Sequence, residues 1–231
     1  MKKQRIISFL MAVLVLSLSL LTGCGKKNDK KPGENTTKND KDNNVRIEIQ
    51  ITDNENKYEV QIPKFVSDTE NQAVNQLNAE IQPIIDVYNE AKKNLWQWAI
   101  IKTQQFDNER YLQAVVEYQK MPTLEANVRS FVYDKKKDRV VTLDDAYKME
   151  KLDQKEFQTL LVKLFKEQGN ANIKIKEYSV NGFYINEKKD VEFFTKIKVN
   201  DGKQDYIIMA TVIPHDKKLL ASNEQGIQIL P

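Results

Sequence analysis

Residues 45–231 predict an α+β domain in which an antiparallel sheet, or sheets, packs against two main amphipathic helices. Three patterns lead there. Apolar residues alternate with period two in several short segments; two longer segments repeat apolar residues three and four apart; and turn-forming clusters separate neighbouring alternating segments.

The first structured segment is VRIEIQIT, which sets Val45, Ile47, Ile49 and Ile51 on one face of a strand. KYEVQIP repeats the pattern with Tyr58, Val60 and Ile62. Between them Asp53-Asn54-Glu55-Asn56 is turn-rich, so the pair predicts a hairpin. A helix follows, with Ser67 and Glu70 as a capping box and Val74, Leu77, Ile81, Ile84, Tyr88, Ala91 and Leu95 as one apolar stripe. Pro83 lies inside that stripe. Lacking an N–H and crowding the preceding turn, it predicts a kink or a division there.

After a polar interval, RYLQAVVEYQK and NVRSFVYD predict strands, and residues 134–138 a turn leading into RVVTL. A second amphipathic helix is expected over residues 153–168, with Phe157, Leu160, Leu161, Leu164 and Phe165 inward and Gly169 as its stop. The last third predicts a meander of GFYIN, DVEFFTKIKV and QDYIIMATVIP. Its turns fall at residues 187–189 and at Asn200-Asp201-Gly202-Lys203.

Ahead of the domain the chain is organised differently. Lys2, Lys3 and Arg5 precede an apolar run over residues 6–21, which is short for a membrane span and suits the core of a signal peptide. Residues 25–44 contain no aliphatic or aromatic side chain, so they cannot offset the entropy of ordering and predict a disordered tether. As a flexible coil such a segment reaches about 25 Å. The expected division is therefore 1–23 signal peptide, 24–44 modified cysteine and tether, and 45–231 folded domain, with sub-parts of about 45–105 and 106–231.

Charge removes one class of partner. All three charged residues of the signal are basic, so the net charge of +3 falls to 0 on cleavage; six lysines and four acidic residues in the tether then leave −2 for residues 45–231. A domain so balanced gives no polybasic case for binding nucleic acid.

Candidate chemistry is sparse. His215 is the only histidine, which excludes a metal site built on two or three histidines and a histidine relay with a spare base. Beside Pro214 and Asp216 it reads as a turn residue. Asp144-Asp145 with Glu187, Asp190 or Glu192 are the carboxylates from which a glycosidase pair would be drawn. Adjacent aspartates at a helix start are better explained by capping and the helix dipole, and residues 187–190 by a charged hairpin turn. Trp96 and Trp98, with Tyr88 and Phe106, suggest an aromatic platform for sugars; the competing reading is that the tryptophans cover the helix end. Lys135-Lys136-Lys137 would meet an anionic wall polymer, or form a solvated turn. No catalytic residue, metal ligand or cofactor site is singled out.

Two resemblances add to this. Leu21-Thr22-Gly23-Cys24 resembles the lipobox of bacterial lipoproteins, which implies cleavage between Gly23 and Cys24 and a membrane attachment through lipid on Cys24. Two acyl chains on that cysteine would give stable anchoring on the extracytoplasmic face. Cys24 is the only cysteine, so the domain must be held by packing alone. Absence of disulfides in an exported chain suits a Gram-positive type of envelope.

EVQIPKF, SFVYDKKKDRVVTLDDAY and GFYINEKKDVEFF, in that order, resemble the paired domains of unknown function in the extracellular part of a lysozyme-sensing anti-sigma factor and in front of some peptidoglycan deacetylases. The likeness covers nearly all of residues 45–231. It implies an extracytoplasmic binding role and carries over no catalytic residue, since the shared region is not the catalytic part. It also raises lysozyme as a ligand. Against that stand two departures: Met121-Pro122-Thr123-Leu124-Glu125 replaces the family's Gly-rich, His-containing stretch, and Lys135-Lys136-Lys137 stands where a glycine commonly follows the aspartate. The expectation is thus a lipid-anchored, non-catalytic binding module for an envelope protein or a cell-wall glycan. Its alternatives are a weak carboxylate-dependent hydrolase of glycan or peptidoglycan, and a purely structural envelope lipoprotein.

Overall fold

The computed structural model describes residues 44–222 other than 56–57, 95–97, 121–125 and 171–172, all within one unit, Asp42–Pro231. The expected signal peptide, the Gly23/Cys24 cleavage and lipidation site, and residues 25–43 of the tether lie outside the described residues, as do Leu95, Trp96 and the departure at 121–125.

The opening hairpin forms where the alternation predicts it. β1 (Val45–Asp53) runs antiparallel to β2 (Tyr58–Ser67), with Val45 opposite Ser67 and Ile47 opposite Phe65. Register shifts between Ile49 and Ile51, where the Gln50 side chain donates to the Pro63 carbonyl at 3.0 Å.

The long helix α1 (Gln72–Lys93) begins later than the expected capping box, because Ser67 is still the last residue of β2. Its cap is Asn71, whose side chain accepts from the Val74 N–H at 3.0 Å. The helix runs through Pro83 without a break in its span. Pro83 and Ala79, whose carbonyl loses its partner, are both exposed, so water can satisfy that carbonyl. Ala73, Val74, Leu77, Ile81, Ile84, Tyr88 and Ala91 are buried, in agreement with the stripe.

A strand the sequence reading passed over comes next. β3 (Ala99–Asp107) buries Ala99 and Ile101 but exposes Lys102, Gln104 and Gln105, so half its pattern looks like loop. It lies parallel to β2, with Tyr58, Glu59 and Val60 opposite Ala99, Ile100 and Ile101. A parallel pair needs a crossover, and α1 supplies it. The expectation of antiparallel sheets is therefore corrected by this one pair. Residue 105 lies inside β3, and the chain passes from one sheet to the other after Val140.

β4 (Tyr111–Lys120), β5 (Asn127–Asp134) and the two-residue β6 (Arg139–Val140) complete a six-stranded sheet in sequence order. At the β5–β6 turn Asp138 takes a left-handed φ of 50°, a conformation aspartate tolerates where glycine is absent. Its carboxylate accepts from the Tyr133 hydroxyl at 2.5 Å and from Asn71 Nδ2 at 2.6 Å, tying the turn to the start of α1.

Two helices follow, which makes three among the described residues, and the first is the short helix whose start the adjacent aspartates Asp144 and Asp145 mark. Short α2 (Leu143–Met149) is capped by Thr142 in a reciprocal box with Asp145, and α3 (Gln154–Glu167) by Asp153 with Glu156. Phe157, Leu161, Leu164 and Phe165 of α3 are buried, Leu160 is half-buried, and Gly169 just past its end has φ 87°. The C-terminal meander is β7 (Lys174–Ile185), β8 (Val191–Asn200), β9 (Asp205–Ile213) and a fourth strand not expected, β10 (Lys218–Ser222), in the order β10-β9-β8-β7.

The layers follow from side-chain parity. Helix α1 covers one face of the six-stranded sheet through Leu77, Ile81 and Ile84 against Ile62, Ile101 and Val116. Helices α2 and α3 cover one face of the four-stranded sheet, where Tyr147, Phe157 and Phe193 lie 4.9 to 5.4 Å apart, ring to ring. The two remaining faces meet through Val115 and Val128 on one side and Tyr184, Phe194 and Met209 on the other. The mixed α+β class stands, arranged as helix, sheet, sheet and helices.

Candidate functional site

Where the two sheets meet, two edge strands cross. β6 pairs only with Tyr133 and Asp134 of β5, so residues 127–131 have no strand beside them on that side among the described residues. β7 is likewise an edge, being bonded to β8 alone. Exposed edges invite pairing, and here side chains of the first sheet satisfy part of the second sheet's edge. The Phe183 N–H donates to Ser130 Oγ at 2.7 Å. Buried Gln113 donates from Nε2 to the Ile185 carbonyl at 2.8 Å and accepts from the Ile185 N–H at 2.9 Å.

Beside this crossing lies an open trough of about 430 Å³, lined among others by Tyr118, Asn127, Arg129, Ser179, Asn181 and Lys196. A second recess of about 260 Å³ shares Glu80, Ser130, Val180 and Asn181 with it and extends to Val141, Thr142 and Leu143. Together they follow the free edge of β5 with α1 on the opposite bank. The lining of the larger trough is mostly amide, hydroxyl and charge, whereas the smaller recess adds the apolar Val140, Val141, Leu143 and Phe183.

Arg129 stands out by comparison with the other described arginines. Arg46 holds Glu48 and Asp68, Arg110 holds Asp134 at 3.0 Å, and Arg139 holds Asp145 at 2.7 Å. Arg129 is exposed and has no ionic or hydrogen-bonding partner among the described residues. Lys196 sits half-buried in the same trough, and that burial lowers its pKa. Glu80 is the single carboxylate of the lining among the described residues, and accepts from Gln76 at 2.9 Å.

The residues singled out from sequence do not converge on this trough. Trp98 is half-buried immediately before β3, and Phe106 lies near the strand's other end, about 26 Å away by the rise of a strand. Phe106 packs on Tyr184 between the sheets at 4.4 Å, and Tyr88 donates its hydroxyl to Asp53 at 2.6 Å on the helix-covered face. Trp98, Tyr88 and Phe106 thus form no common platform. Lys135 is engaged by Asp107 at 2.6 Å, while Lys136 and Lys137 are exposed and donate their backbone N–H groups to Asp134.

The carboxylates have structural roles. Asp145 caps α2 and binds Arg139 in a fork, and the guanidinium holds its carboxyl well below the usual range. Glu192 is buried against the other sheet, burial pushes its pKa up, and its Oε2 has no hydrogen-bond partner among the described residues. Asp190 lies 3.7 Å from His215 Nδ1 in the turns where both were expected. Asp53, Tyr88 and Lys92 form a further polar cluster; the Tyr88 hydroxyl is the main cause of the lowered Asp53 pKa.

Sequence reasoning missed Glu80, Arg129, Ser130, Asn181 and Lys196. The available signal was small: Gly182, a small residue next to the apolar Phe183 and Tyr184, is how a close backbone approach can show itself in a strand. Among the described residues no three His, Cys, Asp or Glu side chains are grouped to hold a metal, and no helix is long and apolar enough to cross a membrane. No protein-family model, curated protein or solved structure matches this chain.

Proposed function

We propose that this chain is a lipid-anchored, non-catalytic extracytoplasmic binding module that engages a component of the bacterial envelope, a cell-wall glycan before an envelope protein. The observation that carries this reading is the open polar trough along the free edge of β5, with its side-chain amides, hydroxyls and a guanidinium unpaired among the described residues. Such a lining offers many hydrogen bonds to a hydroxyl-rich ligand and little apolar area to a greasy one. Hydrolysis of a glycosidic bond by carboxylates needs two of them facing one cleft, and among the described residues the lining offers Glu80 alone. The lipobox-like Leu21-Thr22-Gly23-Cys24 and the polar residues 25–44 supply the address and the reach. The resemblance to the paired extracellular domains supports a ligand-binding role in the same compartment.

Cosedimentation of the detergent-purified full-length protein with isolated cell-wall sacculi tests the reading. Retention in the pellet, with no fall in the turbidity of the suspension, is expected. Clearing of the suspension would favour the hydrolase alternative. Protein left wholly in the supernatant would leave the structural lipoprotein or an envelope-protein ligand.

A further inference from the structure

We infer that the trough between β5 and β7 binds a linear, hydroxyl-rich wall polymer carrying acidic groups, with Arg129 as the residue that pairs with the acid. This rests on the proposed envelope-binding reading and names its ligand. Shape gives the first reason: the two recesses share four lining residues and are open, so a chain can lie along them without an end to be buried. Their course beside residues 127–131 of β5 spans about 13 Å by the rise of a strand, the scale of a short oligomer.

Charge gives the second reason. A guanidinium with no side-chain partner among the described residues presents a planar fork suited to carboxylate or phosphate. Three of the four described arginines spend that fork on a neighbouring carboxylate, and the fourth points its chemistry at the trough. Lys196 and Glu80 also line the trough. Asn181 and Ser179, hydrogen-bonded to each other at 2.8 Å, and Asn127 complete a lining for hydroxyl and amide groups.

An extended acidic peptide is the competing occupant. It would use the free backbone edge of β5, but β7 crosses that edge at Ser130, which leaves too little of it for a strand to add along its length. The polymer is therefore favoured. Its acidic group has two sources in a wall: carboxylates of peptidoglycan, or phosphates of a polyol-phosphate chain attached to it.

Binding of the full-length protein is measured on two preparations of sacculi, untreated and stripped of attached phosphate polymer with hydrofluoric acid. Three variants accompany the wild type: Arg129→Gln, Asn181→Asp, which keeps the acceptor for Ser179 but adds a negative charge, and Lys136→Gln, which removes one charge outside the trough. Arg129→Gln and Asn181→Asp should each weaken binding about tenfold, the scale of one charge-assisted contact, with unchanged melting temperatures. Lys136→Gln should bind like the wild type. Loss of binding on stripped sacculi assigns the phosphate, and retention assigns the carboxylate. Equal losses in Arg129→Gln and Lys136→Gln, no loss in any variant, or displacement by an acidic peptide and not by soluble polymer would overturn the inference while leaving the envelope-binding reading. Absence of wild-type binding to either preparation would overturn both.

Discussion

A Cβ placed on Gly182 would stand 2.8 Å from both the backbone nitrogen and Oγ of Ser130, closer than side chains pack. The glycine is thus required by proximity, because β7 crosses β5 there and the next residue donates its N–H to Ser130 Oγ. Gly182→Ala should destabilise the domain by about 1–3 kcal/mol, the usual cost of overpacking. Ser130→Ala, which removes the acceptor without a clash, should cost about 0.5–1.5 kcal/mol. Denaturant midpoints of both variants check the order; an unaltered midpoint for Gly182→Ala would mean that the sheets separate more readily than the crossing implies.

Glu192 sets the behaviour of the same interface toward base. Burial raises its folded pKa above the ordinary 4.5, so the group favours folding while protonated and that contribution is lost as pH rises through the folded value. Glu192→Gln keeps the shape without the charge. Its stability should exceed that of the wild type at pH 7, and the difference should shrink as pH falls toward the ordinary glutamate value. Thermal denaturation across pH 4–7 reads this directly, and a variant less stable than the wild type at pH 7 would contradict it.

Asp145 gives the opposite sign. Arg139 and the Thr142 cap depress its folded pKa, so its contribution is present above the ordinary aspartate value and is lost as pH falls below it. Asp145→Ala should cost about 1 kcal/mol at pH 7, chiefly through the lost cap, since a partly exposed ion pair adds little. The gap between variant and wild type should narrow progressively as pH falls below about 4 in a urea titration.

Leu77 is fully buried in the α1 stripe, so Leu77→Ala should cost about 2–5 kcal/mol. Exposed Ile207, 44% accessible on β9, should tolerate the same change within about 0.5 kcal/mol.

These residues also show what was legible beforehand. The Val45 hairpin, the stripe of α1 and the span of α3 from Asp153 to Gly169 could be read because one face is buried and periodicity records it. β3 could not, because Lys102, Gln104 and Gln105 break its apolar pattern, and nothing local announces a parallel partner separated by a helix. The cap of α1 was misplaced because Ser67 satisfies a motif while belonging to the preceding strand. The trough was invisible for a different reason. Glu80, Arg129, Asn181 and Lys196 come from four elements, and only the crossing at Ser130 and Gly182 brings them together.

Every binding proposal above presupposes the outer face of a membrane, and that address rests on Cys24. Intact-mass and peptide mass spectrometry of the protein extracted from bacterial membranes tests it most directly. The expected N-terminus is Cys24 carrying a diacylglyceryl group, with residues 1–23 gone, and Cys24→Ala should release a folded domain from the membrane fraction. An intact Met1, or a mature N-terminus at an unmodified Cys24, would contradict the lipid anchor.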